Sequence, residues 1–191
     1  MSPCEKLINL AQKEWTGPAS VDDVRTSGAG IEGGKVLFLP ELGFDSEPRE
    51  TALFTPAILG SSKNASFDPA TGRLGGTTAT GSDAELLRAF LRRFSDAAAS
   101  LVGQLLPRYR DALTRGRASF RPAEIAGRAS SWRKDDTRLH VDSFPATPTA
   151  GRRILRVFSN VNPDGKVRAW RVGGEFESVA RRFAGGLPTT R

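Results

Sequence analysis

The residues best able to do chemistry lie together in the stretch Thr137-Arg138-Leu139-His140-Val141-Asp142-Ser143-Phe144. Side chains on an extended strand repeat every two residues, so His140 and Asp142 project to one face and Val141 to the other. One strand would then present an imidazole nitrogen beside a carboxylate oxygen. With a second histidine from a neighbouring strand, the pair would occupy one face of an octahedral ferrous ion and leave three positions for a bidentate co-substrate and dioxygen. His140 is, however, the only histidine among 191 residues. From spacing alone, the favoured reading is a strand-end histidine salt-bridged to its neighbour.

Other chemistries find less support. Gly28-Ala29-Gly30-Ile31-Glu32-Gly33 has the spelling of a dinucleotide loop, which needs a strand before it and a helix after it. A polar segment precedes it and a strand is expected to follow, so it reads as a flexible turn. A serine or cysteine nucleophile would have to recruit His140, and neither Cys4 nor any serine has an elbow-like setting. Asp135 and Asp136 are adjacent and would face opposite sides of a strand, which suits a polar loop better than paired acid–base work. The sequon Asn64-Ala65-Ser66 has no meaning in a cytosolic chain.

Length and composition bound the rest. The chain suits one domain with a core rather than two large ones. It is 38% hydrophobic with three Trp and eleven Phe, while 20 Gly and 12 Pro announce many turns. A lone Cys4 allows no internal disulfide, no secretory leader opens the chain, and no apolar run approaches the ~20 residues that cross a bilayer. A cytoplasmic location is expected. A net charge of +7 and a pI near 10.3 favour an anionic partner such as nucleic acid, phosphorylated lipid or an acidic sugar. The arginines are scattered, though, and form no basic run interleaved with aromatics.

The elements that must position His140 follow from the hydrophobic pattern. Glu5 to Glu14 reads as a short helix, and Lys35 to Pro40 (KVLFLP) as a strand stopped by proline. Residues 43–81 should be mostly irregular. From Asp83 to Thr114, Leu87, Phe90, Leu91, Phe94, Ala98, Leu101, Val102, Leu105, Tyr109 and Leu113 recur at steps of three and four, the stripe of an amphipathic helix. Ser82 to Glu85 spells a capping box, and Pro107 should kink or split the helix by removing the bond to the Gly103 carbonyl. Beyond Gly116 the pattern turns to strands: RASFRPAEI, RASSWRKDD, RLHVDSF, RRILRVFSNV and VRAWRVG. Asn162-Pro163-Asp164-Gly165 would turn a hairpin of Arg152 to Val161 with Val167 to Val172, and a short helix is expected at Phe176 to Phe183. The order argues for an α+β fold, with the helix packed on an antiparallel sheet or incomplete barrel.

The segment Ser131 to Pro145 around His140, followed by Gly151 to Pro163 and Trp170-Arg171-Val172-Gly173, closely resembles the Kdo hydroxylase family. The likeness is densest from Ser119 to Phe183, with KVLFLPELGF and the long helix as weaker, collinear support. The family comprises iron(II)- and 2-oxoglutarate-dependent dioxygenases of Gram-negative bacteria. The resemblance implies a partial double-stranded β-helix, a cupin-like jelly roll, behind a long amphipathic covering helix. It also implies Fe(II), with 2-oxoglutarate and O2 as co-substrates, and hydroxylation of C-3 of Kdo on a lipid A-linked sugar, a lipopolysaccharide modification. His140 and Asp142 take the places of the first two metal ligands. The family's third ligand, a distal histidine, falls beyond the position equivalent to Arg191, so a C-terminally truncated chain, inactive as it stands, is expected.

Within that frame, residues 1–82 form an N-terminal irregular region with a short strand, 83–115 the covering helix and 116–191 the first strands of the β-helix, in one structural domain overall. Arg156 and Asn160 share a strand face with Ile154 and Phe158. With Arg133 they are candidates to contact 2-oxoglutarate or the sugar carboxylate, since arginine forks bind carboxylates bidentately. A solvated strand face is an equal reading. The expected partner is a Kdo-bearing lipid A precursor, with peripheral contact on the cytoplasmic face of the inner membrane and no nucleic acid. Two other classes stand against the enzyme. One is a non-catalytic binding module for anionic glycolipid or another polyanion; the other is a hydrolase whose metal site Glu175 or Glu177 completes.

Overall fold

The computed structural model of the chain describes residues 6–122, 140, 148–170, 172–174 and 176–186. Its first layer pairs two short strands, β1 (Leu7–Asn9) and β2 (Val36–Phe38), in parallel, with Ile8 opposite Leu37. A parallel pair needs a crossover, and here it is α1 (Val21–Glu32). Ser20 caps this helix by accepting from the Asp23 amide, and Asp22 and Asp23 place negative charge at its positive end. The helix lies so close to β1 that a Cβ on Gly30 would stand 2.6 Å from Ile8 Cδ1.

Two sequence expectations change here. Among the described residues of the expected Glu5–Glu14 helix, Leu7–Asn9 are strand β1 and 10–14 form no helix, because pairing with the distant β2 outweighs local propensity. Gly28 to Glu32 is not a flexible turn but the last turns of α1, closed by Gly33, whose amide donates to Ala29 O at 3.0 Å. The element order is helix then strand, the reverse of a dinucleotide loop.

The second layer is an antiparallel sheet of β3 (Ala65–Phe67), β4 (Leu74–Gly75) and β5 (Ala118–Phe120) in the order β4-β3-β5. Ala65 and Phe67 on β3, and Ala118 and Phe120 on β5, are buried, while Ser119 is exposed, the period-two signature of a half-covered sheet. The cover is α2 (Gly81–Leu105), 25 residues long, which buries Leu87, Phe90, Leu91, Ser95, Leu101 and Leu105. Its N-terminal half joins Phe44, Leu53, Ile58 and the sheet in one core. Its C-terminal half joins Leu10 and Leu106 in a second core beneath the first layer. Edge-to-face aromatic pairs run through the larger core, Phe44–Phe90 at 5.8 Å and Phe90–Phe120 at 5.1 Å. Buried Glu50 accepts from Arg93 Nη2 at 2.5 Å, and the same guanidinium lies 4.4 Å over Phe44.

The helix stops at Leu105 rather than Thr114, and Pro107–Ala112 tightens into a 3-10 helix, so the proline splits the element. The Gly103 carbonyl that Pro107 cannot serve accepts from Arg110 Nη2 at 3.1 Å. The expected capping box does not form: Thr80 is the N-cap without a side-chain bond, Ser82 lies inside the helix, and Glu85 pairs with Arg88.

Past β5 the structure differs most from expectation. Asn162 to Gly165 is a turn, with the Gly165 amide donating to Asn162 O at 3.2 Å and Gly165 at φ +67°. The described residues of 152–161 and 167–172 nevertheless form no strands. Side chains take the backbone groups beside the turn: Asn160 Nδ2 donates to Lys166 O at 2.8 Å, and Asn162 Oδ1 accepts from Lys166 N at 3.2 Å. The described residues of 152–173 therefore form a side-chain-stapled ribbon rather than a β-hairpin. The expected terminal helix is present as α3 (Phe176–Ala184). The N-terminal region holds more regular structure than expected, with α1 and four short strands, and RASSWRKDD lies outside the described residues.

Candidate metal centre

His140 is described and exposed, whereas Asp142 and Arg133, with most of the strand expected to carry the first two, lie outside the described residues. Among the described residues no three His, Cys, Asp or Glu side chains gather closely enough to hold a metal ion. An imidazole and a carboxylate two residues apart match in kind two of the three protein ligands of a non-haem iron triad. The described residues supply no third. Glu177 pairs with Arg181 at 3.4 Å along α3, and Glu175 lies outside the described residues.

The other two candidates ride on the ribbon. Arg156 is exposed; Asn160 is exposed too, and its amide is engaged in the turn, with Nδ2 on Lys166 O and Oδ1 accepting from Asn162 N at 3.3 Å. Across the turn, Phe158 and Trp170 pack with ring centroids 4.4 Å apart, and the Arg168 guanidinium lies 5.6 Å from the Trp170 ring centre. Val161 packs against the larger core.

Polar anchors fix the ribbon to the body. Arg152 Nη1 donates to Thr114 Oγ1 at 3.3 Å, Arg153 Nη1 meets Glu32 Oε2 at 2.9 Å, and Lys6 Nζ donates to Gly173 O at 2.5 Å. The Tyr109 hydroxyl donates to the other oxygen of Glu32. These two donors, Tyr109 first and Arg153 second, hold the Glu32 carboxyl below its ordinary pKa, and the same bond raises the Tyr109 phenol. Sequence reasoning passed over Glu32, Tyr109 and Arg153 as partners. They are 77 and 121 residues apart from Glu32, and no local pattern marks them.

A family model described as 3-deoxy-D-manno-oct-2-ulosonic acid (Kdo) hydroxylase matches residues 15–191. The chain belongs to this family. Three crystal structures of the Kdo hydroxylase KdoO, a non-haem Fe(II) alphaketoglutarate-dependent dioxygenase, are similar to it. The cobalt(II) complex is 40% identical with a TM-score of 0.91, covering 97% of this chain and 63% of that one. The complex with alphaketoglutarate and Fe(III) and the complex with succinate and Fe(III) are each 39% identical with a TM-score of 0.89, covering 97% of this chain and 62% of theirs. The chain thus spans under two thirds of the length of these relatives. A search of curated proteins finds no match.

Proposed function

We propose that this protein acts as an iron(II)- and 2-oxoglutarate-dependent dioxygenase that hydroxylates C-3 of Kdo on a lipid A-linked sugar. One observation carries the reading: 40% identity at a TM-score of 0.91 over 97% of the chain to a KdoO structure that binds cobalt(II). None of the comparisons favours a non-catalytic binding module or a hydrolase. We place His140 and Asp142 as two metal ligands, the third coming from outside the described residues. Bound iron would supply the oxidising chemistry, in which one atom of O2 enters the sugar C–H bond and the other enters succinate as 2-oxoglutarate loses CO2.

The chain's own residues bind and orient. Arg156, with Arg133, is proposed to pair with a carboxylate of 2-oxoglutarate or of the sugar, with Asn160 beside it on the ribbon. We assign residues 116–191 to the first part of a jelly roll that α2 covers, and residues 1–82 and 83–115 to the same structural domain. Among the described residues no helix is long and apolar enough to cross a membrane. A cytoplasmic enzyme meeting its lipid-linked substrate at the inner-membrane surface fits the basic composition.

The test is succinate formation with Fe(II), 2-oxoglutarate and a Kdo-bearing lipid A precursor. Iron-dependent succinate that disappears in His140→Ala and Asp142→Ala is the expected result. Succinate production undiminished in both variants would remove the metal assignment.

A further inference from the structure

Glu32 ends α1, where the helix dipole is negative and a carboxylate is disfavoured, and the last turn of α1 has no basic residue to offset it. A residue at odds with its local setting needs a reason elsewhere in the fold. Here both carboxylate oxygens are used, each by a different element. Oε1 accepts from Tyr109 in the 3-10 helix after α2, and Oε2 meets Arg153 at the start of the ribbon. The ribbon is held mainly through side chains. It forms no strand ladder among the described residues, and Ile154, Leu155 and Phe158 are exposed. Further attachments include Val161 in the core, Arg152 on Thr114 and Lys6 on Gly173.

We infer that Glu32 is a positioning residue, whose bonds to Tyr109 and Arg153 dock the ribbon on the helical layer and so set where Arg156 and Asn160 stand. The bearing on catalysis rests on the assignment of Arg156 and Asn160 proposed above; the docking itself does not. Arg153 lies three residues before Arg156, so an error in its placement is passed directly to the side chain proposed to meet 2-oxoglutarate. A 1 Å misplacement of such a group is enough to weaken a bidentate contact.

The test compares the wild-type chain with Glu32→Gln, Arg153→Glu and the double swap Glu32→Arg with Arg153→Glu. Amide hydrogen exchange is read at residues 152–160 and, separately, at Phe90 and Leu91 in α2. An exposed ion pair contributes little to global stability, but local opening reports it directly. Exchange across 152–160 should quicken roughly three- to tenfold in both single variants, return towards wild type in the swap, and stay unchanged in α2. The affinity of the cobalt(II)-loaded protein for 2-oxoglutarate should fall and recover in parallel. Unchanged ribbon exchange in Glu32→Gln, equal acceleration in α2, or no recovery in the swap would each overturn the docking role. Wild-type protein that fails to bind 2-oxoglutarate would count against the proposed function, while the exchange data would still decide the role of Glu32.

Discussion

The body around α2 and the C-terminal stretch of ribbon and α3 draw on the same residue types and use them in opposite ways. Phe90 and Phe120 are 2% and 4% exposed, whereas Phe158 and Phe183 are 60% and 62% exposed. In the body, sheet, helix and the 3-10 turns offer apolar faces to one another, and aromatic edges meet aromatic faces. Among the described residues, the ribbon meets the larger core through Val161 and the body through several polar contacts. Phe176, Val179 and Phe183 lie along one side of α3, yet none of its described residues is buried. An aromatic side chain contributes to stability only where the fold supplies a facing surface, so composition alone does not divide the two regions.

That contrast is open to attack at several points. The largest effect belongs to Phe90→Ala, which would cost about 3–5 kcal/mol by lost burial and a cavity, while Phe158→Ala should stay within about 0.5 kcal/mol. Urea denaturation of the two variants checks this, and similar losses would erase the distinction. Next comes Glu50→Ala. It strands the partly buried Arg93 guanidinium, whose Nε already lacks a hydrogen-bond partner. Because Arg93 retains 36% of its side-chain exposure, the loss should fall at about 2–3 kcal/mol, below the full range for a buried pair.

A smaller effect is expected for Gly30→Ala. The new methyl would crowd Ile8 Cδ1 at 2.6 Å and Leu37 Cδ2 at 3.3 Å, while alanine's better helix propensity returns nearly 1 kcal/mol. A net loss of about 0–1 kcal/mol follows if overpacking costs about 1–2 kcal/mol, and a stabilised variant would show that α1 and β1 separate easily.

The smallest effect is a pH dependence confined to the ribbon. Tyr109 and Arg153 are the groups that face Glu32, and both depress its carboxyl. A depressed carboxylate contributes fully above its unfolded value, about 4.3, and loses that contribution as pH falls through the lower folded value. Tyr109 is raised instead, so its contribution is complete below about 10 and fades as pH rises through the higher folded value. Ribbon protection, corrected for intrinsic exchange, should therefore be level across neutral pH and drop only at the two extremes. A transition near neutrality would assign the attachment to other groups.

What could be read from the sequence was local and periodic. The α2 stripe from Leu87 to Leu105, the break at Pro107, strand β2, the Asn162–Gly165 turn and α3 all follow from spacing or from one residue's covalent geometry. What could not be read was decided by partners far along the chain. Leu7 to Asn9 is a strand because Val36 to Phe38 lies beside it, and β3 and β4 sit within a glycine-rich stretch whose turn residues masked them. Ser82 and Glu85 had the right spelling, but the helix began two residues too early for Ser82 to cap it. The ribbon lost its ladder to asparagine side chains that a propensity scale treats as turn formers. His140 and Asp142 were paired by assuming a strand of period two, and the resemblance supplied a meaning that spacing could not; Asp142 lies outside the described residues. Glu32 could not be singled out, because α1 itself was read as a turn and its partners are brought to it only by the finished fold.

Pro107 reaches further than the end of a helix. Had α2 continued, Tyr109 would have stayed on its axis and projected in step with Leu105 and Val102. Leu106 at φ −129° and ψ 60° swings the chain aside, and the tighter turn that follows delivers the tyrosine to Glu32. The direction of one imino ring thus decides where a hydroxyl arrives, and the hydroxyl helps decide where a ribbon is moored. A substitution that let α2 run on would change none of the candidate ligand residues themselves, yet it would shift the berth to which the ribbon ties.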